Sequence, residues 1–347
     1  MAHLSISDRW GAVLARAVVM HAPTVSIITP AYNAARFLPE TVASVFRQTF
    51  HDFELLIVDD GSTDGTLELA RSWERTDPRV RVFTRANGGS SRARNTAMQS
   101  ARGSYFALLD SDDLWQPSFL AAQLEVFEQY PEVGVVAGNA YNLGGAFNGR
   151  PLQPPGGDCR PLRLLDIIEH ENSVCIMSVF RRAVADRIGN FDESLNHNED
   201  YDYWIRAAQA GFAFVLNPRP LAYYRRRDES KSADEVGMIQ GIIGVLQHAY
   251  DRCPDFPRER AAIERQIRRF NQERLYASAK ASLRRRDFDT AAREFEALSN
   301  LRQDLSSELF ALISRGAPQV LFWADQAKRA LRTRRLPVNP VNRPSSV

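Results

Sequence analysis

The chain has 347 residues, 44% hydrophobic and 25% charged, with a formal net charge of +2. That balance is ordinary for a soluble globular protein and leaves room for one large domain plus a smaller one. No run of about 18 apolar residues occurs, so no transmembrane helix is implied. The three cysteines, Cys159, Cys175 and Cys253, lack CxxC spacing, so a disulfide framework or zinc site is not expected and a reducing cytoplasm fits.

In chain order, Ala12 to Met20 is apolar but short and broken by Arg16, and reads as an N-terminal helix or lead within an extension over 1–22, not a signal peptide. Val25 to Thr29 is a continuous apolar run, as a buried parallel strand requires. Leu38, Val42, Val45 and Phe46 recur at helical spacing. Leu55 to Val58 is a second strand, closed by Asp59-Asp60-Gly61-Ser62. Leu67, Ala70 and Trp73 mark a helix, Val80 to Phe83 a strand, and Ser91 to Ala101 a helix of small residues. Tyr105 to Leu109 is another strand, again closed by acids. Such alternation predicts an α/β fold with a mostly parallel sheet flanked by helices. Ligands of such sheets gather at the carboxyl ends of the strands, where these polar motifs sit.

Gly138 to Gly157, rich in Gly, Pro and Asn, reads as an irregular excursion. Val174 to Phe180 is apolar and Phe191 to Arg206 acidic. After about Ser232 the composition turns to long Arg-, Glu- and Ala-rich helices, which places a domain boundary there: 23–232, then a helical domain over 233–335, then a disordered Pro-rich tail over 336–347. Leu275, Ala279, Leu283, Phe288, Ala291, Ala292, Phe295 and Leu298 resemble one tetratricopeptide-like helix pair. A single such unit cannot bury its own face, so a helical hairpin packed on the first domain is the favoured reading.

The segment Asp110-Ser111-Asp112-Asp113 sets three carboxylates within four positions. Carboxylates so close repel and raise each other's pKa, and a hard divalent cation relieves that cost. In an extended segment Asp110 and Asp112 point to one side, so one is free to face a ribose and the other a metal. Helix capping is the alternative. At Asp60 a carboxylate beside a glycine suits a base N–H or ribose hydroxyls. Ser62 or Asp64 would start the following helix. Tyr32 is placed either to stack on a planar base or to cover the strand end.

Together "VSIITPAYNAARFLPETVASVFRQTFHDFELLIVDDGSTDGT", "GGSSRARNTAM" and "YFALLDSDDLW" resemble the family 2 glycosyltransferases, whose fold is the GT-A nucleotide-diphospho-sugar transferase fold with a Rossmann-like nucleotide-binding half. The resemblance runs from about Val25 to Ser232. It implies a nucleotide and donor pocket from Thr29, Pro30, Tyr32, Asp60, Asp110 and Ser111. It implies a DXD motif whose Asp112, with Asp110 and Asp113 beside it, carries Mn²⁺ or Mg²⁺ against the diphosphate. Arg92 and Arg94 would lie near the phosphates at a helix start. "NEDYDYWIR" is similar to the family's ED…R segment, which implies Asp200 as catalytic base, Glu199 orienting it, and Trp204 on the acceptor side. "YYRRRDES" matches the family's YRxHxxS form at Tyr224, Arg225 and Ser230, but Arg227 stands where the histidine would be, and an arginine pairs with phosphate and has no lone pair for a metal.

The implied function is an inverting, metal-dependent transfer of a sugar from a nucleotide-diphosphate donor, UDP-sugars favoured, to a hydroxyl of a sugar or lipid-linked acceptor in cell-surface polysaccharide or glycolipid synthesis. The basic residues Lys328, Arg329, Arg332, Arg334 and Arg335 would let a cytoplasmic protein rest on the inner membrane face. Two other classes stay open: a scaffold with a degenerate transferase domain, and a sugar-phosphate nucleotidyltransferase. The latter is disfavoured by the glycine-free loop Thr29 to Asn33. No GxGxxG follows the first strand, which excludes a Rossmann dehydrogenase, and no nucleic-acid partner is expected.

Overall fold

The computed structural model describes residues 22–227, 234–253 and 256–334, with side chains described up to 327. The apolar segment before Met20, Ser230 and the Pro-rich tail lie outside the described residues.

Among the described residues, a nine-stranded mixed sheet forms the centre. Its strands are β1 (Val25–Ala31), β2 (Phe53–Asp59), β3 (Val80–Thr84), β4 (Tyr105–Leu108), β5 (Leu114–Trp115), β6 (Val133–Leu143), β7 (Arg160–Leu162), β8 (Val179–Arg181) and β9 (Ala213–Arg225). Their order is β3-β2-β1-β4-β8-β6-β9-β5, with β7 on β9. β1 runs parallel to β2 and β4, β2 to β3, and β6 to β9, while β8 and β5 enter antiparallel. β1 and β2 are buried almost throughout, which is why they read as continuous apolar runs without alternation.

Helices cover the sheet: α1 (Leu38–Phe46), α2 (Thr66–Thr76), α3 (Ser90–Ser100), α4 (Phe119–Gln129), α5 (Leu164–Glu169), α6 (Arg182–Ile188) and α7 (Glu199–Gln209). Five more follow: α8 (Glu235–Asp251), α9 (Pro257–Arg284), α10 (Phe288–Arg302), α11 (Leu305–Gly316) and α12 (Pro318–Arg334). The expected alternation is present element by element through β4.

Two expectations are corrected. Gly138 lies inside β6, not in a loop. A Cβ there would stand 2.1 Å from the Met177 carbonyl oxygen, so the glycine admits a neighbouring backbone and does not mark a turn. Gly138→Ala should force the β6 backbone apart from residue 177 and cost about 1–3 kcal/mol. Chemical denaturation checks this, and an unchanged midpoint would remove the steric explanation. Second, composition changes near Ser232, but packing does not. Ile242, Leu246, Ile263 and Phe270 join the core of the sheet domain, and a separate cluster of Ala279, Leu283, Ala291, Phe295 and Leu298 begins only later in α9. The apolar residues of α8 and early α9 are needed to cover the sheet domain, and an arginine-rich exposed face hides that from composition.

A networked buried charge sits near the start of β2. Glu54, 1% exposed, accepts from Ser26 Oγ at 2.7 Å and Arg102 N at 2.6 Å, and pairs with Arg81 and Arg102 at 2.9 Å. Burial alone would raise its pKa; the Ser26 hydroxyl, the Arg102 N–H and Arg81 outweigh it and hold the carboxyl below its ordinary 4.5. The carboxylate therefore stabilises the fold above its unfolded pKa, and that contribution is lost as pH falls through the lowered folded value. Glu54→Gln should cost about 1–3 kcal/mol near pH 7 and flatten the acid limb of stability. Urea titrations at several pH values test both, and equal curves would contradict the network.

Candidate functional site

The strand ends carry the polar motifs to one edge of the sheet. β1 lies between β2 and β4, so its end loop, the Asp59-Asp60 end of β2 and the Asp110 turn after β4 are neighbours. This is the point in an open α/β sheet where a crevice forms. A cavity of about 640 Å³ opens there. Of the residues singled out in the sequence, Pro30, Tyr32, Asp60, Arg94, Asp110, Ser111, Asp112, Glu199, Asp200, Arg225 and Arg227 line it.

The loop after β2 divides its labour. Ser62 Oγ accepts from Asn33 N at 3.0 Å, Asp64 Oδ2 from Ala35 N at 3.0 Å, and Asn33 Oδ1 from Thr63 N at 2.8 Å. These bonds stitch the β1 and β2 loops together. Asp64 Oδ1 also accepts from Thr66 N at 3.2 Å, at the start of α2. Asp60 accepts from Gly88 N at 3.0 Å and Gly89 N at 2.7 Å, which anchors the turn into α3 while the carboxylate borders the cavity.

Arg94 organises the centre. It reaches in from α3 with 4% side-chain exposure, placing Nη2 at 2.7 Å from Asp110 Oδ1 and Nη1 at 2.7 Å from Glu199 Oε1. Burial would lower its pKa, but the Asp110 and Glu199 charges override this and raise it. Glu199 also accepts from Ser90 Oγ at 2.6 Å. Burial would raise the Glu199 pKa; Arg94 and the Ser90 hydroxyl hold it below the ordinary 4.5. Its neighbour differs. Burial and the Glu199 charge push Asp200 up to about 6, against the pull of Arg94. Both acids open α7, whose N-terminal dipole favours negative charge.

At the other acidic segment, Asp112 Oδ2 lies 2.6 Å from Arg227 Nη2. Burial and Asp110 raise its pKa, opposed by Arg227. Ser111 presents its carbonyl to Thr41 Oγ1 at 3.0 Å. Arg225 donates Nε to the Asp112 carbonyl at 2.7 Å and Nη2 to Glu40 at 2.6 Å. The donor set Asp110 and Asp112 is all carboxylate oxygen, and the Asp110 charge opposes ionisation of Asp112. That chemistry fits a hard divalent cation shared with a ligand's phosphates. Among the described residues, no three acidic, His or Cys side chains converge as a complete protein-only shell.

Four expected residues fall elsewhere. Thr29 is 1% exposed within β1 and is not among the residues that line the cavity bordered by Pro30 and Tyr32. Arg92 pairs with Glu193 at 2.8 Å on the surface, because the turn of α3 that buries Arg94 turns residue 92 outward. Asp113 is 1% exposed and accepts from Arg225 N at 2.7 Å, fixing the β9 end and not facing the cavity. Trp204 is 0% exposed, edge-on to Phe180 and Tyr203, so it is core and not an acceptor contact.

Residues outside the sequence motifs also contribute. Asn196, His197, Asn198 and, from beyond the compositional boundary, Met238 line the cavity. Asn198 takes a left-handed φ of 59° and donates Nδ2 to Met238 O at 2.8 Å. Gly241 makes room: a Cβ there would lie 2.6 Å from Asn198 Nδ2. The Gly237-x-x-x-Gly241 spacing in a helix was the available signal for this close approach.

The family described as glycosyl transferase family 2 matches residues 26–189. TuaG of Bacillus subtilis (strain 168), named for a glycosyltransferase role in teichuronic acid biosynthesis, is 33% identical over 214 residues, 61% of this chain and 83% of TuaG. Of several further curated relatives the chain spans between 20% and 62% of their length. Among solved structures, S. aureus TarS 1–349 in complex with UDP-GlcNAc superposes with a TM-score of 0.62 at 18% identity, covering 91% of this chain and 95% of that one. The mannosyltransferase PcManGT from Pyrobaculum calidifontis, in complex with GDP-Man and Mn²⁺, gives 0.58 at 19% identity, covering 90% and 85%. At such identities the likeness is one of fold, and that fold is GT-A.

Proposed function

The chain belongs to glycosyl transferase family 2, and on that premise we propose that it moves a sugar, with inversion, from a nucleotide-diphosphate donor to an acceptor hydroxyl. The observation that carries this is the contrast between two adjacent acids. Glu199 is pinned by Arg94 and Ser90 and held below its ordinary pKa, whereas Asp200 is half-buried, lifted to about 6, and borders the cavity. Adjacent acids with pKa values pushed apart are the mark of divided roles.

Asp200 accepts the proton of the acceptor hydroxyl as it attacks the anomeric carbon. Glu199 holds the start of α7 in place through Arg94. Pro30, Tyr32 and Asp60 border the nucleotide side. Arg225 and Arg227 supply positive charge toward the diphosphate. Asp110 and Asp112 would hold Mn²⁺ or Mg²⁺, which stabilises the leaving diphosphate when bound. UDP-sugars are the favoured donors, and TuaG's name suits a cell-surface polysaccharide product.

Among the described residues no helix is long and apolar enough to cross a membrane. Exposed Leu305, Leu309, Leu312 and Trp323 precede the basic run from Lys328 to Arg335, which supports peripheral contact with an anionic bilayer at its cytoplasmic face and a lipid-linked acceptor. A screen of nucleotide sugars for Mn²⁺-dependent hydrolysis and transfer tests the activity. Pyrophosphate release from nucleoside triphosphates would replace it by nucleotidyl transfer, and nucleotide binding without turnover by a scaffold role. Co-sedimentation with vesicles containing phosphatidylglycerol tests the membrane contact, and recovery of all protein in the supernatant at low salt would remove it.

A further inference from the structure

The carboxylate best placed to hold a cation already has a cationic partner. Arg227 Nη2 is 2.6 Å from Asp112 Oδ2, with side-chain exposures of 30% and 17%. The guanidinium also lies over Phe37, 4.8 Å from the ring centroid. The other cavity arginines are committed elsewhere. Arg94 forks between Asp110 and Glu199, and Arg225 is tied to Glu40 and to the Asp112 carbonyl. Arg227 alone among these three is set against the Asp112 side chain.

A guanidinium and a divalent cation cannot share that carboxylate at close range without strong repulsion in a half-buried site. Arginine has no lone pair with which to become a metal ligand, so it competes with a cation for Asp112 and cannot join it. Its planar donor fork matches phosphate oxygens as well as it matches a carboxylate.

Resting on the donor reading above, we propose that Asp112 is exchanged between two positive partners. Arg227 holds Asp112 while the cavity lacks a donor. An arriving nucleoside diphosphate draws Arg227 onto its phosphates and frees Asp112 for a divalent cation. Cation and diphosphate then load as a unit, and each promotes the other by the same factor, as linkage requires. The arginine at this position thus sets the order of loading and suppresses cation binding to the empty cavity.

The test is a Mn²⁺ titration of the full chain, read by the electron paramagnetic resonance of free Mn²⁺, with and without UDP. Wild type should bind Mn²⁺ weakly alone and at least about tenfold more tightly with UDP. Arg227→Gln should bind Mn²⁺ without UDP roughly tenfold more tightly than wild type, and should gain less from UDP. Arg227→Lys keeps a positive charge beside Asp112 and should stay near wild type without UDP. Equal affinity of wild type and Arg227→Gln for Mn²⁺ alone overturns the exchange while leaving the donor reading intact. So does an Arg227→Lys that tightens as much as Arg227→Gln. Absence of Mn²⁺ binding to wild type even with UDP overturns the cation assignment and the exchange with it.

Discussion

Asp200→Asn should reduce sugar transfer by about 10²- to 10⁴-fold while leaving donor affinity within a few-fold of wild type. The asparagine keeps the shape and the bond from Tyr201 N, 2.9 Å in the native chain, but cannot take a proton. A KM near wild type with a collapsed kcat is the expected pattern, because the lost interaction belongs to the transition state. The wild-type profile of kcat/KM should rise with pH through an apparent pKa of about 6, where Asp200 ionises. The same substitution should stabilise the fold. A carboxyl raised from 3.8 to about 6 by burial and by Glu199 makes ionisation unfavourable in the folded state. Wild-type stability therefore falls as pH rises through that window and stays reduced above it, by on the order of 2–3 kcal/mol. Asn removes the penalty, so its melting temperature should exceed that of wild type at pH 7.5. Transfer at the wild-type rate would end the assignment of Asp200 as base. A melting temperature no higher than wild type would mean that its carboxylate is not strained.

Arg94→Met should be the most damaging single change in the site. It removes one guanidinium that satisfies two acids, Asp110 and Glu199, each at 2.7 Å. Deleting one partner of a buried ion pair leaves the other charge uncompensated, at a cost of about 3–5 kcal/mol. Glu199 loses the attraction that depresses its pKa. Its stabilising contribution, present above 4.5 and lost as pH falls through the lowered value, should vanish. Asp200 also feels Arg94 as a lowering influence, so the acid limb of activity should move above pH 6 in whatever protein folds. Arg94→Lys should recover part of the stability, since a single ammonium cannot fork to both acids. Thermal melts across pH and pH–rate profiles check this pair of shifts. A variant with wild-type melting and an unmoved profile would show that the acids do not depend on Arg94.

The sequence by itself determined the alternation of buried strands and helices through Leu108, the family, and the acids at the strand ends. These are local properties: an apolar run buried on both faces, a turn that closes it, a carboxylate that follows. It also named Asp60, Asp110, Asp112, Glu199 and Asp200, all of which border the cavity. Direction and partnership required the tertiary structure. Arg92 and Arg94 read alike in the chain, and only the angle of α3 sends one to Glu193 on the surface and the other between Asp110 and Glu199. Trp204 follows the acids in the same helix, yet faces Phe180 and Phe214 in the core, because a few residues carry a side chain around a helix axis. Gly138 opens a stretch whose composition reads as an irregular excursion, yet it is the place where Met177 approaches β6. Met238, beyond the change in composition, reaches the cavity because two glycines let its helix lie against the loop before Glu199. Composition records which side chains a segment carries. Which charges neutralise one another is fixed by contacts between residues distant in the chain, and those exist only once the fold has formed.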